Sequence, residues 1–225
     1  MMGKKRAGES QYRDAIELMK KRPERMGLMS GWSWHDDPKR FVFYLSRYKF
    51  VAKMLEGSGH VLEVGCGDGF GTRIVVQAVK QVTAVDFDPE FVQSARDTMS
   101  PRWPFACLQH DVTVAPVPGL FDAVYSLDVL EHVPPESEAQ FIANMIAPLK
   151  PKGVAIIGTP SLQSQAHASA HSRQGHVNCK DQQDLKRLMQ RHFDQVFVFS
   201  MNDEVVHTGH QAMSHYNFCL CCGKK

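Results

Sequence analysis

Asp128, Glu131 and His132 close the run Phe121-Asp-Ala-Val-Tyr-Ser-Leu-Asp-Val-Leu-Glu-His132, with the two later residues three and four positions beyond the first. If a helical turn follows the apolar stretch, the three side chains share one face. Two carboxylates and an imidazole so placed can hold a divalent cation, Mg, Mn or Zn. His132 can alternatively act as base toward a hydroxyl, a poor nucleophile at neutral pH. The plainer reading is that Glu131 and His132 only shape a pocket. A second constellation is Val61-Leu-Glu-Val-Gly-Cys-Gly-Asp-Gly-Phe-Gly-Thr72, where Gly65, Gly67 and Gly69 alternate after an apolar run. Glycine lets the backbone take positive φ and lets a ligand come close. Glu63 and Asp68 flank these glycines, and acids there oppose a phosphate but suit a cationic ligand. Asp86 lies about twenty residues further on, where a nucleoside site sets an acid on ribose hydroxyls. A helix-capping role is the plainer account of Asp86.

These residues need a frame that brings strand ends together. Val61 to Val64 reads as a buried strand and Ile74, Val75, Ala78 and Val79 as the helix after the glycines. Further strands are expected at 81–86, 105–109, 121–127, 154–158, 195–200 and 213–220, with a turn at Lys150-Pro-Lys-Gly153. Helices are expected at 89–99, 134–149 and 181–191. Strands alternating with helices predict an α/β, Rossmann-like, doubly wound parallel sheet. The carboxyl ends of its strands, where open α/β sheets bind ligands, would carry Asp86 and Asp128. The stretch 161–180 is polar without periodicity and reads as a long loop. A second polar loop, 201–211, carries Asp203, Glu204, His207 and His210; the two histidines are candidates for acceptor contacts.

Residues 1–56 form an N-terminal helical extension and 57–225 the main domain. Residues 1–10 read as a disordered basic start and 10–22 as an amphipathic helix that Pro23 ends. Gly31-Trp-Ser-Trp-His-Asp-Asp-Pro38 is turn-rich, and its two indoles are expected to fold over something. A helix at 39–56 carries Phe41, Tyr44, Leu45, Tyr48, Val51 and Leu55 close to one stripe. It either packs on the core or, with the rest of the extension, forms a lid over a small-molecule pocket.

The 225 residues, 43% hydrophobic, suffice for one such domain. The formal charge of +2 leaves no global nucleic-acid footprint. Lys4-Lys5-Arg6 and Lys20-Lys21-Arg22 read as a solvated tail and helix face. No apolar run reaches membrane-spanning length and the polar N-terminus does not read as a signal peptide, so a cytoplasmic protein is the expectation. The six cysteines are irregularly spaced and suggest no disulfide framework; Cys219, Cys221 and Cys222 read as free thiols rather than a zinc site.

Taken together, Glu63-Val-Gly-Cys-Gly-Asp-Gly69, Asp86, Asp111, the run 121–132 and Leu149-Lys-Pro-Lys-Gly153 resemble the successive motifs of class I S-adenosylmethionine (SAM) methyltransferases. The resemblance covers about residues 55–200. It implies a sheet of seven strands whose last is antiparallel and inserted beside the fifth and sixth. It implies that Glu63, Gly65, Gly67 and Gly69 border the methionine moiety, that Asp86 holds the ribose hydroxyls and that Phe87 lies against the adenine. Asp111 would accept from the adenine amino group, with Val112 beside it, and Leu127 would form the pocket wall. The flanking acids agree with a ligand carrying an ammonium and a sulfonium, and the glycine spacing is not that of a dinucleotide fold. The acid-x-x-Glu-His pattern is similar to two metal-assisted families, the ubiquinone-biosynthesis O-methyltransferases and the small-RNA ribose 2′-O-methyltransferases. The second adds a downstream histidine, for which His176 is the best match and His171 the next. Asp128 departs from both families, which usually carry Glu there.

The leading expectation is a SAM-dependent enzyme that O-methylates a small hydroxylated molecule, a sugar, a sugar-bearing precursor or a catechol-like ring. His132, Glu131 and His176 would be its catalytic residues, and Asp128, Glu131, His132 and His176 would hold a metal. RNA ribose methylation is the alternative, disfavoured by the charge. A non-catalytic SAM-binding regulatory protein is the third reading, which the retained glycines and Asp86 argue against.

Overall fold

The computed structural model describes residues 10–21 and 23–225. The expected disordered start at residues 1–10 lies outside them except for Ser10, which is the first residue of a helix. The helices are α1 (Ser10–Lys21), α2 (Leu28–Asp36), α3 (Pro38–Met54), α4 (Thr72–Val76), α5 (Pro89–Asp97), α6 (Glu138–Ile146), α7 (Ala170–Gly175) and α8 (Gln182–Gln190). The strands are β1 (His60–Val64), β2 (Gln81–Asp86), β3 (Ala106–Gln109), β4 (Phe121–Leu127), β5 (Leu149–Pro160), β6 (Phe193–Asn202), β7 (Val205–His207) and β8 (Tyr216–Lys224).

They form one sheet in the order β3-β2-β1-β4-β5-β8-β6-β7. Strands β1 to β5 pair in parallel, and β8 runs antiparallel between β5 and β6. This is the inserted last strand that the resemblance implies. The count is eight strands, not seven. The extra one is β7, which lies within the expected 201–211 loop and pairs antiparallel with β6. Asp203 makes the hairpin by taking a positive φ of 50°, a conformation that Asp tolerates better than most residues. The expected turn at 150–153 is instead a bulge inside β5. Leu149 pairs with Phe121 and Val154 with Ala123, so three extra residues are taken up there.

Successive residues of β1 go to opposite faces, as a sheet covered on both sides requires. Leu62 and Val64 join the cluster with Phe141, Ile142 and Met145 of α6 and Leu185, Leu188 and Met189 of α8. Val61 joins the other, with Tyr48, Val51 and Leu55 near and on α3, Val75 of α4 and Val92 of α5. The core-packing reading of α3 therefore holds at Tyr48, Val51 and Leu55, all buried. Asp37 caps α3 by accepting from the Arg40 N–H, and Pro38 supplies the first helical residue.

Two expectations fail in the N-terminal part and the middle of the chain. The tryptophan segment is the helix α2, and Trp32 and Trp34 are 64% and 52% exposed rather than covered. The 161–180 stretch is not one loop: it holds a 3₁₀ turn at Gln163–His167 and the short helix α7, whose Ser169 cap accepts from the Ser172 N–H. Among the described residues no helix is long and apolar enough to cross a membrane.

Candidate active site

The glycine loop leaves the carboxyl end of β1 with Gly65, Gly67 and Gly69 all at positive φ. A Cβ on Gly67 would lie 2.5 Å from Met29 Cε, so glycine there lets α2 sit directly on the loop. Asp68 fixes that contact: its Oδ2 accepts from both the backbone N–H and the hydroxyl of Ser30, each at 2.7 Å. Asp86, at the end of β2, reaches across to the same loop. Its Oδ2 accepts from the Gly67 N–H at 2.8 Å and its Oδ1 from the Asp88 N–H at 3.0 Å. Burial pushes the Asp86 carboxyl up despite these bonds. Glu63 points into the interior beneath the loop. Its Oε2 accepts from the Thr72 hydroxyl at 2.6 Å, while Oε1 has no partner. Burial raises its carboxyl to about 7, against the hydrogen bonds that favour the charged form. A buried carboxylate with a spare oxygen and no cation beside it is a place that favours positive charge.

The other predicted donor residues flank this core. Phe87 is 68% exposed, just past Asp86. Val112 is buried, and its carbonyl accepts from Asn144 Nδ2 at 2.8 Å. Asp111 is exposed and turns back on its own chain, Oδ1 accepting from the N–H and hydroxyl of Thr113 at 2.8 and 2.6 Å. Leu127 is buried at the end of β4. It packs against Gly158, where a Cβ would lie 2.8 Å from Leu127 Cδ2 and 2.6 Å from the Tyr216 hydroxyl.

After β4 the chain turns sharply. Asp128 has φ of 56° and donates its N–H to the Gly158 carbonyl, and Leu130–His132 follow as a 3₁₀ turn. The expected common face therefore breaks between Asp128 and the other two. Asp128 pairs with Arg47 of α3, whose guanidinium lies 3.9 Å above the Tyr216 ring. Glu131, His132 and His176 do come together, with one ligand atom of each within 4.8 Å of the others. Atoms bound at about 2.1 Å to one ion lie within about 4.2 Å of each other, so a modest side-chain adjustment suffices.

Each member of this trio is aimed by a neighbour. Glu131 is 1% exposed. Its Oε2 accepts from the Thr159 hydroxyl at 3.1 Å, leaving Oε1 4.0 Å from His132 Nε2. Burial, then the Asp128 charge, raise its carboxyl to about 8. Its backbone carbonyl accepts from the N–H groups of Val177 and Asn178, which bring His176 alongside. The two rings stand edge to face, 5.1 Å apart. His132 Nδ1 bonds the Gly175 carbonyl at 2.9 Å and His176 Nδ1 bonds Gln165 Oε1 at 2.8 Å, so both Nε2 atoms remain free. Burial, then the nearby His132, hold the His176 imidazole below its usual value. The His171 side chain lies outside the described ones. His207 is not free: its Nε2 bonds Asn202 Oδ1 and its Nδ1 accepts from the Gly209 N–H, which fixes the β7 hairpin. Cys219 and Cys221 are buried free thiols of β8.

Arg47, Gln165, Thr159 and Tyr216 escape sequence reasoning. Arg47 alone leaves a trace, as a charge on the aromatic side of α3 between Tyr44 and Tyr48.

Residues 61–153 match the family model described as a methyltransferase domain. A ubiquinone biosynthesis O-methyltransferase of Xanthomonas campestris is 32% identical over 149 residues, covering 64% of this chain and 62% of the relative. The chain spans 38 to 62% of the length of the curated relatives it matches. The N-methyltransferase NodS of Bradyrhizobium japonicum, solved with S-adenosyl-L-homocysteine, aligns with a TM-score of 0.62 at 19% identity, over 93% of this chain and 97% of that one. The methyltransferase domain of bacterial CtHen1 aligns with a TM-score of 0.67 at 17% identity, over 80% and 98%. These likenesses are of fold.

Proposed function

We propose that this chain, which matches a methyltransferase domain over residues 61–153 and shares the fold of solved methyltransferases, is a class I SAM-dependent methyltransferase that moves a methyl group from SAM to a hydroxyl of a small molecule. The observation that carries the reading is the Glu131–His132–His176 trio, its first two members in the turn just after β4 and His176 brought beside them from the end of α7. Methyl transfer from a sulfonium is an in-line displacement, so the protein must chiefly align and deprotonate the acceptor.

The donor side follows from the glycine loop. Gly65, Gly67 and Gly69 border the methionine end of SAM, with the Glu63 carboxylate supplying negative charge below it. Asp86 takes the ribose hydroxyls, Phe87 and Val112 enclose the adenine, and Asp111 accepts from its amino group. Leu127 walls the site. The N-terminal segment, through Met29 and Ser30, serves as its cover.

On the acceptor side, Glu131, His132 and His176 would hold a divalent cation. The donor set of one carboxylate oxygen and two Nε2 lone pairs fits such an ion, and both imidazoles have the outer hydrogen bond that metal-bound histidines need. When bound, the cation lowers the pKa of an acceptor hydroxyl at neutral pH. Asp128, tied to Arg47, contributes charge rather than a ligand. Without a cation, the free Nε2 of His132, on a half-exposed ring, is placed to take the hydroxyl proton.

The test is transfer of labelled methyl from SAM to catechol, to a vicinal sugar diol and to RNA with a 3′-terminal ribose, with and without EDTA. The expected result is label in a small hydroxylated acceptor, suppressed by EDTA and restored by Mn²⁺. Label in RNA alone would replace the acceptor class. SAH binding with no transfer of label from SAM to these acceptors or to cell extract would make the protein a SAM-binding regulator.

A further inference from the structure

A pair of imidazoles can act on one point only if both present the same kind of nitrogen to it. For His132 the backbone settles which. Its Nδ1 lies 2.9 Å from the Gly175 carbonyl oxygen, and a carbonyl only accepts. Nδ1 therefore carries the proton and Nε2 keeps its lone pair.

His176 has no backbone partner of that kind among the described residues. Its Nδ1 meets the side chain of Gln165, 11 positions earlier, at 2.8 Å. Gln165 lies in the turn Gln163–His167, within the polar stretch that shows no periodicity. An amide could offer either its oxygen or its NH₂. Here the NH₂ is spoken for: Nε2 donates to the Ser161 carbonyl and to the Ser164 hydroxyl, each at 3.3 Å. Ser161 is itself fully buried. Its hydroxyl donates to the Ser214 carbonyl at 2.6 Å and its N–H to the His215 carbonyl at 2.9 Å. The amide is thus oriented from the end of β5 and the start of β8, and its oxygen is the end left for His176.

We infer that Gln165 is a positioning residue of the site: by accepting from His176 Nδ1–H it reserves the His176 Nε2 lone pair for the point shared with Glu131 and His132. This rests on the proposed function above. The residue type suits the place. A neutral acceptor sets the tautomer without adding a third negative group beside Glu131 and Asp128. The same bond makes the trio depend on the 161–167 segment, because Gln165 joins His176 to Ser161 and the sheet.

The test compares Gln165→Leu, which removes the acceptor, with Gln165→Glu, which keeps one. In the full-length protein, long-range ¹H–¹⁵N spectra read the His176 tautomer, and calorimetry reads the affinity for Mn²⁺ or Zn²⁺ alone. Wild type and Gln165→Glu are expected to show His176 protonated at Nδ1. Gln165→Leu is expected to show a mixture or the Nε2–H form, and to bind the metal about 10–100-fold more weakly. SAH affinity should stay within about twofold in all three, as expected of a group that does not touch the donor side. If Gln165→Leu loses SAH binding, Gln165→Met repeats the test with a less disruptive side chain. An unchanged tautomer in the folded variant overturns the inference, as does a changed tautomer with unchanged metal affinity. A wild type that binds no metal removes the metal reading of the trio and leaves the tautomer to decide the role of Gln165.

Discussion

Asp86 is held by two backbone N–H groups at the ends of adjacent segments, whereas His176 is held by one side-chain amide on a 3₁₀ turn. The contrast extends across the two halves of the site. On the proposed donor side, Glu63 and Asp86 sit on β1 and β2, inside the sheet, and the loop between them hydrogen-bonds to Val85 and Asp86. On the acceptor side, Glu131 and His132 follow β4 in a 3₁₀ turn, and His176 caps the end of α7. Strand ends fix a group through the sheet ladder; turns fix it through a few individual bonds. On the proposed assignment, the donor half is thus built to keep one shape, and the acceptor half is where a change of substrate could be made without disturbing the sheet.

The largest effect should come from separating the halves at His132. His132→Ala is expected to lower turnover by at least about 100-fold, the usual scale for a lost acid–base or ligand group. SAH affinity by calorimetry should stay within about twofold, because the ring is half-exposed and bonds the Gly175 carbonyl rather than the loop. A parallel collapse of SAH binding would show that the two halves are not independent.

Asp86→Ala is the reciprocal cut. It removes the proposed ribose contact and also leaves the Gly67 N–H without its acceptor. One charged hydrogen bond contributes about 1.5–3 kcal/mol, so SAH should bind about 10–100-fold more weakly. The circular dichroism spectrum should be unchanged. Normal affinity would remove the donor assignment.

Next in size is a pH effect on the donor side. The folded Glu63 carboxyl, at about 7, lies above its ordinary 4.5. The folded chain therefore binds more protons than the unfolded one between these values, and stability falls as pH rises through that window. The stability is fully present below about 4.5 and is lost by the time pH passes 7; the loss is of the order of 3 kcal/mol. Glu131, at about 8, carries the same sign and extends the decline to higher pH. Binding of the ammonium group of SAH runs the other way, gaining as Glu63 ionises and levelling above about pH 7. Melting temperatures from pH 5 to 8 should therefore fall without SAH, and the SAH-induced rise should grow. Glu63→Gln should lessen the fall without SAH, leaving the part due to Glu131, and should abolish the growth of the SAH-induced rise; a wild-type melting temperature that does not move with pH would contradict the raised values of these two buried acids.

The same division explains what the sequence discloses. The donor half is local in the chain: three alternating glycines, Glu63 before them and Asp86 at the next strand end. Local spacing is what sequence patterns report, and the sheet order follows from alternating strands and helices. The misses are non-local or small. Arg47 reaches Asp128 across 81 positions, and no periodicity encodes that pairing. The break between Asp128 and Glu131 comes from one positive φ at a residue that is not glycine. β7 is three residues long and lies in a polar run, so its pairing with β6 leaves no hydrophobic alternation to read. His176 emerges only through the resemblance, and Gln165 leaves no signal at all.

The smallest effect concerns Asp111, the donor-side residue that least fits its own half. It is exposed, outside the strand ladder, and its Oδ1 already accepts twice from Thr113. A turn-making role and an adenine contact are compatible, since a carboxylate has lone pairs to spare on its second oxygen. They differ in what Asp111→Ala should do. Loss of an exposed hydrogen bond to the adenine amino group costs about 0.5–1.5 kcal/mol, so SAH should bind about 2–10-fold more weakly. S-inosylhomocysteine, which carries an oxygen in place of that amino group, should bind the variant as it binds wild type. The preference of wild type for SAH over the inosyl compound would then shrink in Asp111→Ala. If both ligands weaken equally, Asp111 acts only by shaping the Asp111–Ala115 turn that presents Val112. In that case adenine recognition on this side of the molecule belongs to backbone and apolar groups alone.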